Sequence, residues 1–194
     1  MTKSLIEHYT EAGIIQFGRF EQPDGSFAPV SLNFLLLPSF PALMQATAKA
    51  LLPLLQSIHA DRLLSTLDAI PLGAVLSVES AIPLTYPHGE AKTYTSAFVI
   101  EGAYDVGHPT ALLTYTLADS SDAQSIMQPA RKVGLNVRDV LCLFSIGERG
   151  IQELATENVR VHALFDFADA LDILQAQGIL PSTFRNYLHT WLQT

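Results

Sequence analysis

Apolar positions along the chain fall into short runs with two different periods. Leu5-Ile-Glu-His-Tyr-Thr-Glu-Ala-Gly13 has helical spacing and closes on glycine, so a short helix is predicted over residues 5–13. Ile14–Phe20 and Val30–Phe34 read as strands joined through the turn Pro23-Asp24-Gly25. Over Pro41–Ile58, Leu43, Ala46, Ala50 and Leu54 share one helical face, with Pro53 expected to kink the helix or end it early. Beyond that point strands and helices alternate. Leu63–Leu67, Ile82–Tyr86, Ala111–Thr116, Val137–Phe144 and Val159–Leu164 are apolar strand candidates. Thr93–Glu101 reads as one arm of a hairpin. Helices are predicted over Ile70–Ser80, with Pro71 in the first turn, after the polar turn Ala118–Asp122, and from Glu148. A helix starting at Ser121 would hold Pro129 in its interior at a cost of ~3 kcal/mol, which argues for a kink or a later start. Asp166 is placed to cap a helix striped with Phe167, Leu171 and Leu174, and Ser182 opens a last one.

Strand runs apolar on both faces, alternating with helices, predict an α/β fold with a mostly parallel sheet flanked by helices. With no repeat or linker, residues 1–194 are expected to form a single domain with C-terminal helices over about 166–192.

Composition narrows the function classes. Hydrophobic residues make up 48% of the 194 and charged residues 15%, which supplies a core and excludes a disordered chain. A net charge of −8 argues against nucleic acid or an anionic membrane as partner. One cysteine excludes an internal disulfide and a multi-cysteine zinc site. Glu7 and His8 break the first apolar stretch, so no secretory signal is expected, and no run reaches the ~20 residues of a membrane helix. A cytoplasmic protein is the expectation.

Ligands of open parallel sheets bind in loops at the carboxyl ends of the strands. The loop Ala118-Asp119-Ser120-Ser121-Asp122 opens a helix and could offer N–H groups to a phosphate. It has no glycine and carries two acids, so Ser and Asp also read as helix caps. The segment Tyr86–Tyr94 gathers Tyr86, His88, Lys92 and Tyr94, where Lys92 could neutralise an anion and His88 move a proton; it also reads as a solvated hairpin loop. In Gly147-Glu-Arg-Gly150, Arg149 could clamp a carboxylate or phosphate, or be an ordinary first-turn residue. The histidines show no metal-ligand spacing, His162 reads as packed or capping, and Cys142 reads as core. No nucleophile elbow, P-loop or dinucleotide fingerprint occurs.

The order of these pieces resembles the orotate phosphoribosyltransferases over roughly Leu5–Leu180. The resemblance rests on Leu5-Ile-Glu, Ala12-Gly-Ile-Ile-Gln-Phe-Gly18, Pro23-Asp-Gly-Ser, Ile82-Pro-Leu-Thr-Tyr86, Glu90-Ala-Lys92, Ile100-Glu-Gly102, Val133-Gly and Val161-His-Ala-Leu-Phe165. It implies a type I phosphoribosyltransferase fold with a small N-terminal hood over about residues 1–36. It also implies a pocket for 5-phosphoribosyl diphosphate (PRPP), Mg when PRPP is bound, a pyrimidine base or nucleotide, and a homodimer. Lys92 matches the catalytic lysine region.

The departures lie at the chemistry. Thr114-Tyr115 stand at the family's acidic pair, and the loop Ala118–Ser121 lacks the glycines of its phosphate cradle. Asp68-Ala69 replace the glycines of the pyrophosphate loop, His88-Gly89 a basic pair, Tyr94 a histidine, Phe27 the lysine of the substrate turn and Ile146 the base-binding arginine. The expectation is a phosphoribosyltransferase-like protein without normal PRPP-dependent catalysis, acting as a ligand-binding, regulatory or interaction protein. The alternative is an active transferase with a remodelled site in which Lys92, Asp119 and Asp122 take over roles.

Overall fold

The computed structural model describes residues 2–22, 25–88 and 100–192. The Pro23-Asp24 turn, Lys92, Tyr94 and most of the predicted arm 93–101 lie outside them. The chain forms two compact units, Met1–Thr47 with Phe167–Thr194, and Ala48–Asp166.

The first unit begins with helix α1 (Thr2–Glu11) and an antiparallel hairpin, β1 (Ile15–Glu21) and β2 (Phe27–Leu32). Ile15 pairs with Leu32, and the register slips between Phe17 and Phe20. The second strand stops two residues before the predicted Phe34, because Phe34 starts a 3₁₀ turn (Phe34–Ser39) that buries Phe34 and Leu37. Tyr9, fully buried on α1, meets the Phe34 ring edge-on at 5.4 Å, and its hydroxyl lies 2.6 Å from Thr47 Oγ1. Thr47 belongs to α2 (Pro41–Ile58), which runs through Pro53 to its full predicted length; of the expected kink or early end, the early end does not occur. Leu51, Leu55 and Ile58 are all buried around that proline, and each contributes ~1.5–3 kcal/mol against the ~3 kcal/mol that the proline costs. The same unit holds the last helices, α6 (Phe167–Ala176) and α7 (Ser182–Trp191). Asp172 of α6 joins them by accepting from Arg185 (2.6 Å) and contacting His189 (3.0 Å) on α7.

The second unit is a six-stranded sheet with the order β5-β4-β3-β6-β7-β8. Its strands are β3 (Arg62–Ser65), β4 (Leu84–Pro87), β5 (Ile100–Glu101), β6 (Pro109–Leu117), β7 (Asn136–Ser145) and β8 (Arg160–Asp166). All neighbours are parallel except β4 and β5. Gly102 sits at φ +111°, and a side chain there would approach the Leu84 carbonyl oxygen to 2.7 Å, so only glycine fits after β5. The connecting helices are α3 (Ile70–Ser80), α4 (Ser121–Lys132) and α5 (Arg149–Thr156).

Helix α4 starts at Ser121 and carries Pro129 inside, so the start is not delayed. Ala123, Ile126, Met127 and Ala130 bury one face of α4 in a core shared with Leu112, Val140 and Cys142, which outweighs the proline. The strand predicted to reach Leu67 ends at Ser65: the Thr66 N–H makes a last bond to Leu113 O on β6, and the chain then turns, Ala69 N–H to Thr66 O. Among the described residues no helix is long and apolar enough to cross a membrane.

Candidate functional site

Because β3, β6, β7 and β8 run the same way, their carboxyl ends lie on one edge of the sheet, and α4 and α5 start there. The loop after β6 and the first turns of these helices form a cavity of about 480 Å³, lined by Asp119, Ser120, Ser121, Gln124, Arg149, Glu153 and Thr156. Two glycines shape the approach of α5. Gly147 takes φ +68°, and Gly150 packs so closely that a Cβ would lie 3.0 Å from Leu117 Cγ and 3.2 Å from the Asp119 backbone. The Gly150 N–H reaches Ala118 O at 3.2 Å. One turn later, Glu153 arrives over the loop.

The donors of Ser120 and Ser121 are already in use. The Ser120 N–H and hydroxyl both donate to Glu153 Oε2, at 2.9 and 2.7 Å, and Arg149 Nε donates to Glu153 Oε1 at 2.8 Å. The Ser121 N–H and hydroxyl donate to Asp119 Oδ1, at 2.9 and 2.5 Å. Carboxylates thus stand at the positive end of α4, where the backbone favours negative charge. The Ser120 hydroxyl, then Arg149 and the Ser120 N–H, push the Glu153 carboxyl down to about 2. Asp119 is likewise lowered, by the Ser121 hydroxyl and N–H with help from Arg149, against a smaller effect of burial. Glu153, through its hydrogen bond and then its charge, raises the Arg149 guanidinium further. Every carboxylate here is ionised at neutral pH.

Of the residues singled out from sequence, Asp119, Ser120, Ser121 and Arg149 meet in this cavity. Asp122 does not line it; the side chain is exposed on the first turn of α4, and the Asp122 carbonyl accepts from Ser125 Oγ at 2.7 Å. Tyr86 is half-buried on β4 and His88 exposed just beyond it, with β3 between that strand and β6. At strand spacing this puts Tyr86 ~14 Å from the strand that leads to Arg149. Arg149 is the exposed first residue of its helix, and its Nε–H donates to Glu153. Ser120 stands at the N-cap of α4 without a side-chain capping bond and turns its hydroxyl to Glu153, while Asp119, one residue earlier, takes the Ser121 N–H.

Thr114 and Tyr115 are buried in the middle of β6, which runs on to Leu117, so they do not stand at the strand end. At the end of β3, exposed Asp68 accepts from Thr66 Oγ1 at 2.5 Å. On the hairpin, Phe27 is stacked under the Arg19 guanidinium, 3.7 Å from the ring centre. Glu153, Gln124 and Thr156 were not foreseen; the one legible hint was the four-residue spacing of Arg149 and Glu153, which pairs opposite charges on a helix.

The fold makes magnesium the ion to test. Among the described residues no three His, Cys, Asp or Glu side chains converge on a point that could hold a metal. Asp68, Asp119, Glu153 and Asp166 each accept from a hydroxyl of the protein, respectively Thr66, Ser121, Ser120 and Ser145. These residues do not build a magnesium cage of their own.

No family model matches the chain. Among solved structures it is similar to the UMP synthase of Leishmania donovani, with a TM-score of 0.88 and 21% identity over 99% of this chain. It spans only 42% of that chain's length. The orotate phosphoribosyltransferase of Aeropyrum pernix superposes with a TM-score of 0.76 and 19% identity, over 90% of this chain and 98% of that one. The Mycobacterium tuberculosis H37Rv orotate phosphoribosyltransferase, in complex with PRPP, gives 0.70 and 16% identity over 87% and 98%. With its mostly parallel sheet, flanking helices and N-terminal helix and hairpin, this chain has the type I phosphoribosyltransferase fold in the form found in orotate phosphoribosyltransferases.

Proposed function

We propose that this phosphoribosyltransferase-like protein lacks ordinary PRPP-dependent transfer and acts as a ligand-binding, regulatory or interaction protein. The observation that carries this reading is the occupation of the loop donors: Ser120 and Ser121 give their N–H groups and hydroxyls to Glu153 and Asp119. A helix start of this kind holds a phosphate through such N–H groups. Here a phosphate that uses the Ser120 or Ser121 donors must displace a carboxylate, and it meets the negative charge of Asp119 and Glu153 in doing so. Ribosyl transfer also needs fixed groups aimed at a departing diphosphate, and loss of one such group commonly costs 10²–10³ in rate. Asp68 adds charge of the wrong sign at the end of β3.

The likeness in fold to an enzyme described in complex with PRPP supports the second reading, a transferase with a remodelled site. That reading assigns roles to Lys92, Asp119 and Asp122, with magnesium arriving on the diphosphate. A coupled assay with orotate, PRPP and magnesium separates the two. The expected result is no PRPP-dependent loss of orotate; turnover that disappears in Lys92→Ala would establish the remodelled enzyme. Under the first reading, a phosphorylated small molecule or nucleotide is the proposed ligand. Tyr86, His88, Lys92 and Tyr94 are proposed to face it, beside the Asp119–Asp122 loop and Arg149. The protein is further proposed to work as a cytoplasmic homodimer, one domain per protomer, so light scattering should return twice the 21.2 kDa protomer mass.

A further inference from the structure

We propose that the notch at the amino end of β7 is a second ligand site, which takes a small carboxylate that also carries an amide group, with Arg138 as its clamp. The notch lies at the opposite end of the strand from the 118–121 loop, ~30 Å away along β7, and is independent of the reading given under Proposed function.

The last turn of α4, the start of β7 and the residues just after α5 enclose a cavity of about 510 Å³, lined by Arg131, Asn136, Val137, Arg138, Glu157 and Asn158. A break in strand register puts Arg138 there. Thr110 of β6 pairs with Val137 and Ala111 with Asp139, so Arg138 is an extra residue, a bulge between two parallel strands. Bulges are rare in parallel pairs, and they re-aim side chains. Regular alternation would send Val137 and Arg138 to opposite faces, and Val137 and Val140 likewise. Instead Val137 and Val140 both join the core shared with α4, and Val137 and Arg138 both line the cavity.

Charge in the cavity is balanced except at Arg138. Glu157 Oε2 accepts from Arg131 Nη1 at 3.0 Å and Oε1 from Gln124 Nε2 at 2.8 Å, while Arg131 Nη2 donates to Val137 O at 2.9 Å. The carbonyl ends of α4 and α5 disfavour an anion, but the N–H groups of Val133, Gly134, Glu157 and Asn158 bond to them. The arginines in ion pairs among the described residues are Arg131, Arg149, Arg160 and Arg185, so Arg138 is not among them. Its Nε donates to Asn136 Oδ1 at 3.0 Å, which steadies the guanidinium and leaves both terminal nitrogens to a ligand. Those two nitrogens match the two oxygens of a carboxylate. Next to them, the Asn136 amide nitrogen and the exposed Asn158 amide supply donors and an acceptor for an amide. A phosphate would bring roughly two negative charges beside Glu157, a carboxylate only one. The recess is within the size range of small-ligand sites.

The test uses the full chain and N-acetylglycine, which joins a carboxylate to an amide, in calorimetric titration and NMR shift mapping. N-acetylglycinamide lacks the charge, acetate lacks the amide, and inorganic phosphate reports any anion. N-acetylglycine should bind saturably and about tenfold more tightly than each of the others, with shifts centred on residues 131–138 and 157–158. Arg138→Ala should weaken it by about tenfold, and Arg138→Lys nearly as much, because a point charge does not replace the fork. Asn158→Gly suits the φ of +57° at that position; it should weaken N-acetylglycine and leave acetate unchanged. Arg138 and Asn158 are exposed, so the variants should melt with the parent; if Arg138→Ala does not fold, Arg138→Lys decides. No saturable binding, binding untouched by the Arg138 variants, or phosphate bound as tightly as N-acetylglycine would overturn the site, and the notch is then a solvated strand end or a general anion patch. Turnover of orotate with PRPP would overturn the proposed function alone and has no bearing on this site.

Discussion

Asp139 offers a sharp test of how the sheet edge is held. It is 6% exposed on β7 and pairs in register with Arg160 on the edge strand β8. Its carboxylate accepts from Arg160 Nε at 2.8 Å and Nη2 at 2.9 Å, and lies 2.9 Å from His162 Nε2. Asp139→Asn preserves shape, removes the charge and leaves one carbonyl acceptor. Hydrogen bonds to a charged group contribute ~1.5–3 kcal/mol each when buried. The Arg160 side chain is 69% exposed and regains water, so its share falls toward the ~0.2–1 kcal/mol of a surface pair. The expected net loss is ~1–3 kcal/mol, a fall in Tm of ~2–12 °C for a chain of this length. Amide exchange should quicken first at Val161–Ala163, because an edge strand has a neighbour on one side only.

The pH dependence has a definite sign. Burial raises the Asp139 carboxyl, but the hydrogen bonds from Arg160 and His162 outweigh it and leave the group below its ordinary value. The contribution of Asp139 is therefore complete above the unfolded pKa of ~3.9 and is lost as pH falls through the lower folded value. Melting curves of parent and variant should converge on acidification. A gap that persists or widens in acid would refute this account, as would strict additivity of Asp139→Asn with Arg160→Ala.

Other expectations follow from single positions. Gly102→Ala should destabilise by at least ~2 kcal/mol in urea unfolding, since it combines a positive φ with a 2.7 Å approach to the Leu84 carbonyl. Thr47 Oγ1 donates to Leu43 O, so the Tyr9 hydroxyl is the donor of their mutual bond; Tyr9→Phe should cost ~1 kcal/mol by the same measurement. Burial pushes the Cys142 thiol up to about 12, so alkylation at neutral pH should track global unfolding and be absent from the native protein.

Much of the fold could be read from residue order. Ile70–Ser80 was legible to the residue because Pro71 and an apolar run mark its start and extent, and the parallel strands showed as runs without alternation. Strand ends were harder. β3 stops at Ser65 because the chain turns at once, Ala69 N–H to Thr66 O, although the apolar run continues to Leu67. Neither Pro53 nor Pro129 sets a helix boundary, because the burial that compensates them is tertiary. The site divides in the same way. The Asp119–Ser121 turn is local and was visible, whereas the link from Ser120 to Glu153 depends on where α5 lands after β7. Thr114 and Tyr115 were placed at a strand end that lies further on, at Leu117.

The position of β6 has a consequence for how the chain reaches this state. Its segment Thr110-Ala-Leu-Leu-Thr-Tyr-Thr-Leu117 carries no charge and no proline, and it finds one neighbour, β3, across 48 residues, Arg62 opposite Thr110. Pairings between such distant segments form slowly, because a long loop must close before any contact rewards it. A newly made β6 is an uncharged stretch of high strand propensity awaiting partners, the composition that seeds intermolecular cross-β association. Asp105 on one side, and Asp119 and Asp122 on the other, flank it as charged gatekeepers. The acids after β6 thereby guard the unfolded chain as well, and neutralising Asp119 and Asp122 together should lower refolding yield at micromolar concentration before it alters the native fold.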